Sequence, residues 1–122
     1  MANYKTLDAW KFSMELVKEV YLMTKQYPKE EMYALTSQTR RAAVSVSANM
    51  AEGLGRQYKK DTLQFLYISR GSLYELETLL SIALMVKIIS EETFNSVVPS
   101  LERSLKILNG FIHSLESRTD LK

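Results

Sequence analysis

Cysteine is absent from this chain of 122 residues. That excludes disulfides, thiolate zinc sites and cysteine nucleophiles together, and it suits a reducing compartment. Histidine occurs once, proline twice and glycine four times. The most apolar run, Leu79 to Ile89, is about half the roughly 20 residues that a membrane-spanning helix needs, and it carries Lys87. The opening MANYKTLDAWK lacks the apolar core of a secretory signal. A cytoplasmic protein with no membrane partner is the expectation, and no strand pattern competes with the helical one.

Charge is small overall, +2, but unevenly spread. Residues 36–70 hold Arg40, Arg41, Arg56, Lys59, Lys60 and Arg70 against Glu52 and Asp61, a local +4, whereas residues 71–122 sum to −2. An anionic partner is therefore to be sought on the middle third.

Apolar spacing predicts four helices, at about 7–26, 36–53, 59–87 and 91–117. The first opens on Thr6 as N-cap, carries the row Leu7, Trp10, Met14, Val17, Tyr21 and Thr24, and stops at Tyr27–Pro28. The second is rich in small residues (Ala42, Ala43, Ser45, Ser47, Ala48, Ala51), which let neighbouring helices come close, and it ends at Gly53 or Gly55 in a left-handed cap. The third runs through Leu66, Leu73, Leu76, Leu80 and Ala83, with Gly71 marking a close helix contact. The fourth starts at the N-cap Ser90 and is kinked, or split in two, at Pro99.

Four amphipathic helices with short connections predict one all-α domain over residues 1–122, an up-down-up-down antiparallel four-helix bundle. Helix one carries a second apolar row, Ala9, Phe12, Leu16, Val20 and Met23, and helix four adds Val97, Ile107 and Phe111. Such an excess points to self-association; the alternative is a wider core.

Catalytic chemistry finds no support in the residues. His113 and Glu116 stand in the reverse order of the Glu-x-x-His pairs of di-iron bundles, so no metal or cofactor is expected. The serines lack a histidine partner in any recognisable motif, and Gly53–Arg56 ends a helix instead of following a strand as a phosphate loop does. Glu75 and Glu77, two apart on a helix, point about 160° away from each other. If the second and third helices pack so that residue i lies level with roughly 113 − i, Arg41–Glu75 or Arg40–Glu77 ion pairs are expected. Asn49 would then lie level with Gln64, as a buried amide or as a helix-end cap, and Glu52 could pair with Arg56. The other use for Arg40, Arg41, Arg56, Lys59, Lys60 and Arg70 is a basic strip for nucleic acid, most simply RNA. A protein-interaction scaffold is the alternative function, and neither reading is enzymatic.

The segments LDAWKFSMELVKEVY, YPKEEMYALTSQTRRAAVSVSANMAEGLGR and FLYISRGSLYELETLL resemble the bacterial four-helix-bundle family of proteins encoded in intervening sequences of 23S ribosomal RNA genes. That family is similar to the accessory variability determinant of diversity-generating retroelements, a basic pentamer that associates with nucleic acid and a reverse transcriptase. The resemblance implies a bundle assembling as a homopentameric ring and brings no catalytic residues. Arg40, Arg41, Asn49, Glu52, Gly53, Gly55 and Arg56 fall on the signature positions. Ser47 stands where the family often has proline, which implies a straighter second helix here.

Overall fold

The computed structural model describes residues 3–118. Its helices are α1 (Asp8–Thr24), α2 (Leu35–Leu54), α3 (Lys59–Met85) and α4 (Glu91–Ser117), with short 3-10 turns at Tyr4–Thr6 and Lys29–Glu31. Each helix packs on two neighbours, α1 on α2 and α4, α3 on α2 and α4, so the four close a square. The up-down-up-down bundle of the sequence pattern is the observed fold. No helix among the described residues is long and apolar enough to cross a membrane.

The core is layered from Leu16 and Val20 of α1, Val46 and Met50 of α2, Leu66, Leu73, Leu76 and Leu80 of α3, and Leu101, Leu108 and Ile112 of α4. On α1 the second apolar row takes the centre of the core, while Leu7, Trp10 and Val17 of the first pack at its edge. Ala9, Leu16, Val20 and Met23 are buried, whereas Met14 and Tyr21 are 42% and 39% exposed. Ser13, in neither row, and Thr24, the last of the first row, are buried, and each hydroxyl donates to a carbonyl of its own helix, Ser13 to Trp10 at 2.6 Å and Thr24 to Val20 at 2.8 Å. On α4 the extra residues do widen the core: Val97 is buried, and Ile107 and Phe111 pack against it.

The helix ends follow local chemistry. Ser90 caps α4, its Oγ accepting from the Thr93 amide at 3.1 Å. α4 runs through Pro99 as one helix, so the split alternative falls. Thr6 is not the cap of α1; it lies in the first 3-10 turn, and Leu7 precedes α1 without a side-chain cap. α3 closes with Lys87 in the left-handed region at φ 65° while the Ile88 amide reaches back to the Ala83 carbonyl at 2.8 Å, a Schellman-type stop.

Neither glycine at the end of α2 is left-handed, contrary to the cap expected there: Gly53 lies in its last turn and Gly55, the C-cap, has φ −87°. Gly53 serves closeness instead. A Cβ on it would lie 2.7 Å from the Phe65 Cβ and 3.0 Å from the Thr62 carbonyl oxygen, and the Thr62 hydroxyl donates to the Gly53 carbonyl at 2.8 Å. Gly71, expected at a close contact, has nothing within 4 Å of such a Cβ and lies exposed.

Candidate nucleic-acid interface

α2 is a slender helix tied to its neighbours by hydroxyl groups. Ser47 lies 2.8 Å from Ser13 of α1, a buried link that proline at this position could not make, and Ser45 lies 2.8 Å from Ser72 of α3. The Ser69 hydroxyl donates to the Val46 carbonyl at 2.6 Å. Facing positions on α2 and α3 therefore sum to 115 or 117, which sets Arg41 level with about Glu75, close to the expected register.

The expected arginine–glutamate pairs nevertheless do not form. Arg40 turns toward α1: its Nε donates to the Thr24 hydroxyl at 2.8 Å and its guanidinium lies over the Tyr21 ring, 4.7 Å from the centroid. Arg41 projects outward, exposed, with no carboxylate partner among the described residues. Among the described residues the one ion pair is Glu52–Arg56, at 3.3 Å, on the surface. Such an exposed pair is worth a few tenths of a kcal/mol, about the magnitude of other i,i+4 pairs.

Arg40 and Arg41 share a trough of about 690 Å³ over the outer face of α2. Its floor is Ser37, Val44, Ser45 and Ala48, and Tyr21, Met32 and Tyr33 form one side. Thr36 lines it as well, its buried hydroxyl lacking a hydrogen-bond partner. At the far end Asn49 donates to both the carbonyl and the hydroxyl of Ser45, each at 2.9 Å. It is thus neither a partner of Gln64 nor a helix-end cap. Val44 and Ala48 also belong to a second, apolar hollow of about 330 Å³ with Trp10, Met14 and Val17, so one groove follows the α1/α2 edge.

The other four cations lie elsewhere. Arg56 stacks on Phe65 at 4.8 Å just past the end of α2, about 24 Å along the axis from Arg40 at 1.5 Å per residue. Beside it Lys59 donates to the Arg118 carbonyl at 2.7 Å and Lys60 is exposed. Arg70 is in the α3/α4 groove, where it donates to Asn109 at 3.1 Å and lies over the Tyr67 ring. Tyr67 in turn donates to Glu116, and that hydrogen bond to a carboxylate raises its pKa. The six residues thus form three sites, the trough, one bundle end and the opposite groove, instead of one strip. Tyr33 went unnoticed in the sequence, where nothing separates a tyrosine left in water from one that packs.

A slender, serine-tied second helix, a glycine forced by helix contact and an arginine pair at the trough coincide with the residues that carried the sequence resemblance. The family model for 23S rRNA-intervening sequence proteins matches residues 5–110. The chain belongs to this family. A similar fold is seen in a protein of unknown function from the S23 ribosomal protein family of Bacteroides thetaiotaomicron, with a TM-score of 0.79 and 21% identity over 85% of this chain and 97% of that one. At that identity the likeness speaks for the bundle alone. No curated protein matches the chain significantly. Within the 23S rRNA-intervening sequence family, then, the residues of this member have to carry the functional reading.

Proposed function

We propose that this protein is a non-enzymatic, self-assembling cytoplasmic bundle that binds RNA through its middle-third cations. The observation that carries the reading is charge left over after folding: of Arg40, Arg41, Arg56, Lys59, Lys60 and Arg70, only Arg56 meets a carboxylate among the described residues. Cations kept without counter-ions are available to phosphates, and a ring of copies, five if the resemblance extends so far, multiplies each contact. Self-assembly is supported by Met14 and Tyr21, the exposed members of the first apolar row of α1, and by apolar residues along α3. Ile68 and Gly71 and, further along, Ile82 and Met85 form two exposed apolar pairs separated by Glu75 and Thr78, with open space around Gly71.

Binding of labelled RNA at about 150 mM salt should weaken steeply as salt is added, because phosphate neutralisation releases counter-ions. Lys59→Glu with Lys60→Glu should cost about tenfold or more in affinity and leave the particle mass unchanged. If binding survives both changes intact, the bundle end is not part of the interface. The scaffold reading, in which the outer apolar groove holds another protein, gains if the wild type at micromolar concentration binds no RNA.

A further inference from the structure

Resting on the RNA-binding reading above, we infer that the α1/α2 trough is a seat for a single-stranded polynucleotide, with a phosphate on Arg40 and Arg41 and an unstacked base on the ring of Tyr33. Arg40 is held for this. Its Nε is fixed by Thr24, whose hydroxyl is itself anchored on the Val20 carbonyl, and the Tyr21 ring supports the guanidinium face. Among the described residues the two terminal nitrogens have no hydrogen-bond or ion-pair partner, and such a planar pair of donors matches two phosphate oxygens. Arg41, next to it on the trough, adds a second charge without a counter-ion.

Tyr33 is 97% exposed, so its ring contributes almost nothing to the core. A flat aromatic face in water beside two arginines is the arrangement that accepts a splayed base. Asn49 spends its amide nitrogen on Ser45 and keeps its carbonyl oxygen without a partner at the other end, an acceptor for an exocyclic amine. The trough volume of about 690 Å³ falls within the usual range for ligand sites, roughly 300–1,000 Å³. A duplex fits poorly, because its base faces are already covered by one another. An apolar segment of a second protein also fits poorly, since it would bury the terminal nitrogens of Arg40 unpaired.

The test is fluorescence anisotropy of the full chain with a labelled single-stranded RNA of about 12 nucleotides, a length in the range such sites cover, and with the duplex of the same sequence. The single strand should bind more tightly than the duplex. Tyr33→Ala should weaken the single strand roughly 5- to 150-fold, the worth of one stacked base, and leave the salt slope and duplex binding alone. Arg41→Ala should weaken both and lower the salt slope by about one. If the wild type binds RNA but Tyr33→Ala binds equally well, or the duplex binds as tightly as the strand, the seat is wrong and the RNA reading stands. Wild type that binds neither form at micromolar concentration overturns both. If the two variants instead split the oligomer while RNA affinity is kept, the trough is a contact between subunits and the inference fails.

Discussion

The two long outer grooves of the bundle use the same residue types to opposite ends. Along α3/α4, Arg70, Tyr67, Asn109 and Glu116 partner one another, so cation, hydroxyl, amide and carboxylate are consumed inside the chain. Along α1/α2, Arg40 is positioned but not neutralised, Arg41 has no counter-ion, and Tyr33 packs on almost nothing. One groove is complete in the monomer. The other is organised by folding and, among the described residues, left with open valences.

Two glycines sharpen the contrast. Gly53→Ala drives a methyl group into Phe65 and Thr62, and should destabilise the chain by about 1–3 kcal/mol in urea unfolding. A loss below half a kcal/mol would mean that α3 can retreat from α2 at little cost. Gly71→Ala meets open space on an exposed helix face and should stabilise by about 0.5–1 kcal/mol through backbone entropy alone.

Tyr27 supplies an interior counterpart. Its hydroxyl is buried with no hydrogen-bond partner, and burial pushes its pKa up from 10.0 to about 12. The unfolded chain therefore releases this proton first, so the stability Tyr27 confers is intact below pH 10 and lost as pH rises toward 12. Tyr27→Phe removes an unsatisfied polar atom and should be neutral to about 1 kcal/mol stabilising, with less of the alkaline loss. Unfolding curves at pH 8 and near pH 11 measure both effects; a destabilised variant would reveal a partner for the hydroxyl.

The smallest expected change in stability is on the open side. Met14→Lys, at an exposed site in the apolar hollow, should leave unfolding within about 0.5 kcal/mol while lowering the particle mass seen by light scattering. Unaltered mass would remove this hollow from the assembly surface.

Much of the fold was readable before the structure because four apolar stripes separated by few breaks allow little else. α4 begins and ends where its N-cap and spacing put it. On α1 periodicity located two adjacent stripes but did not rank them: Leu16 and Val20 of the second lie deepest, Leu7, Trp10 and Val17 of the first pack at the edge, and Met14 is left in water. The candidate site was half legible. Arg40 and Arg41 stood out as charges, but their direction depended on Thr24 and Tyr21, sixteen and nineteen positions upstream of Arg40. Gly53 was noticed as a chain stop, when its purpose is clearance.

The narrowness of α2 has two outcomes at once. Ala42 and Ala43 turn small side chains inward and let the neighbouring helices draw near, while Ala48 turns an equally small one outward and hollows the surface above. Bulk added on the first pair would be felt as a folding defect, and bulk added at Ala48 as a hollow already filled. A library that enlarges these three positions one at a time would therefore sort itself into variants that cannot close and variants that cannot receive.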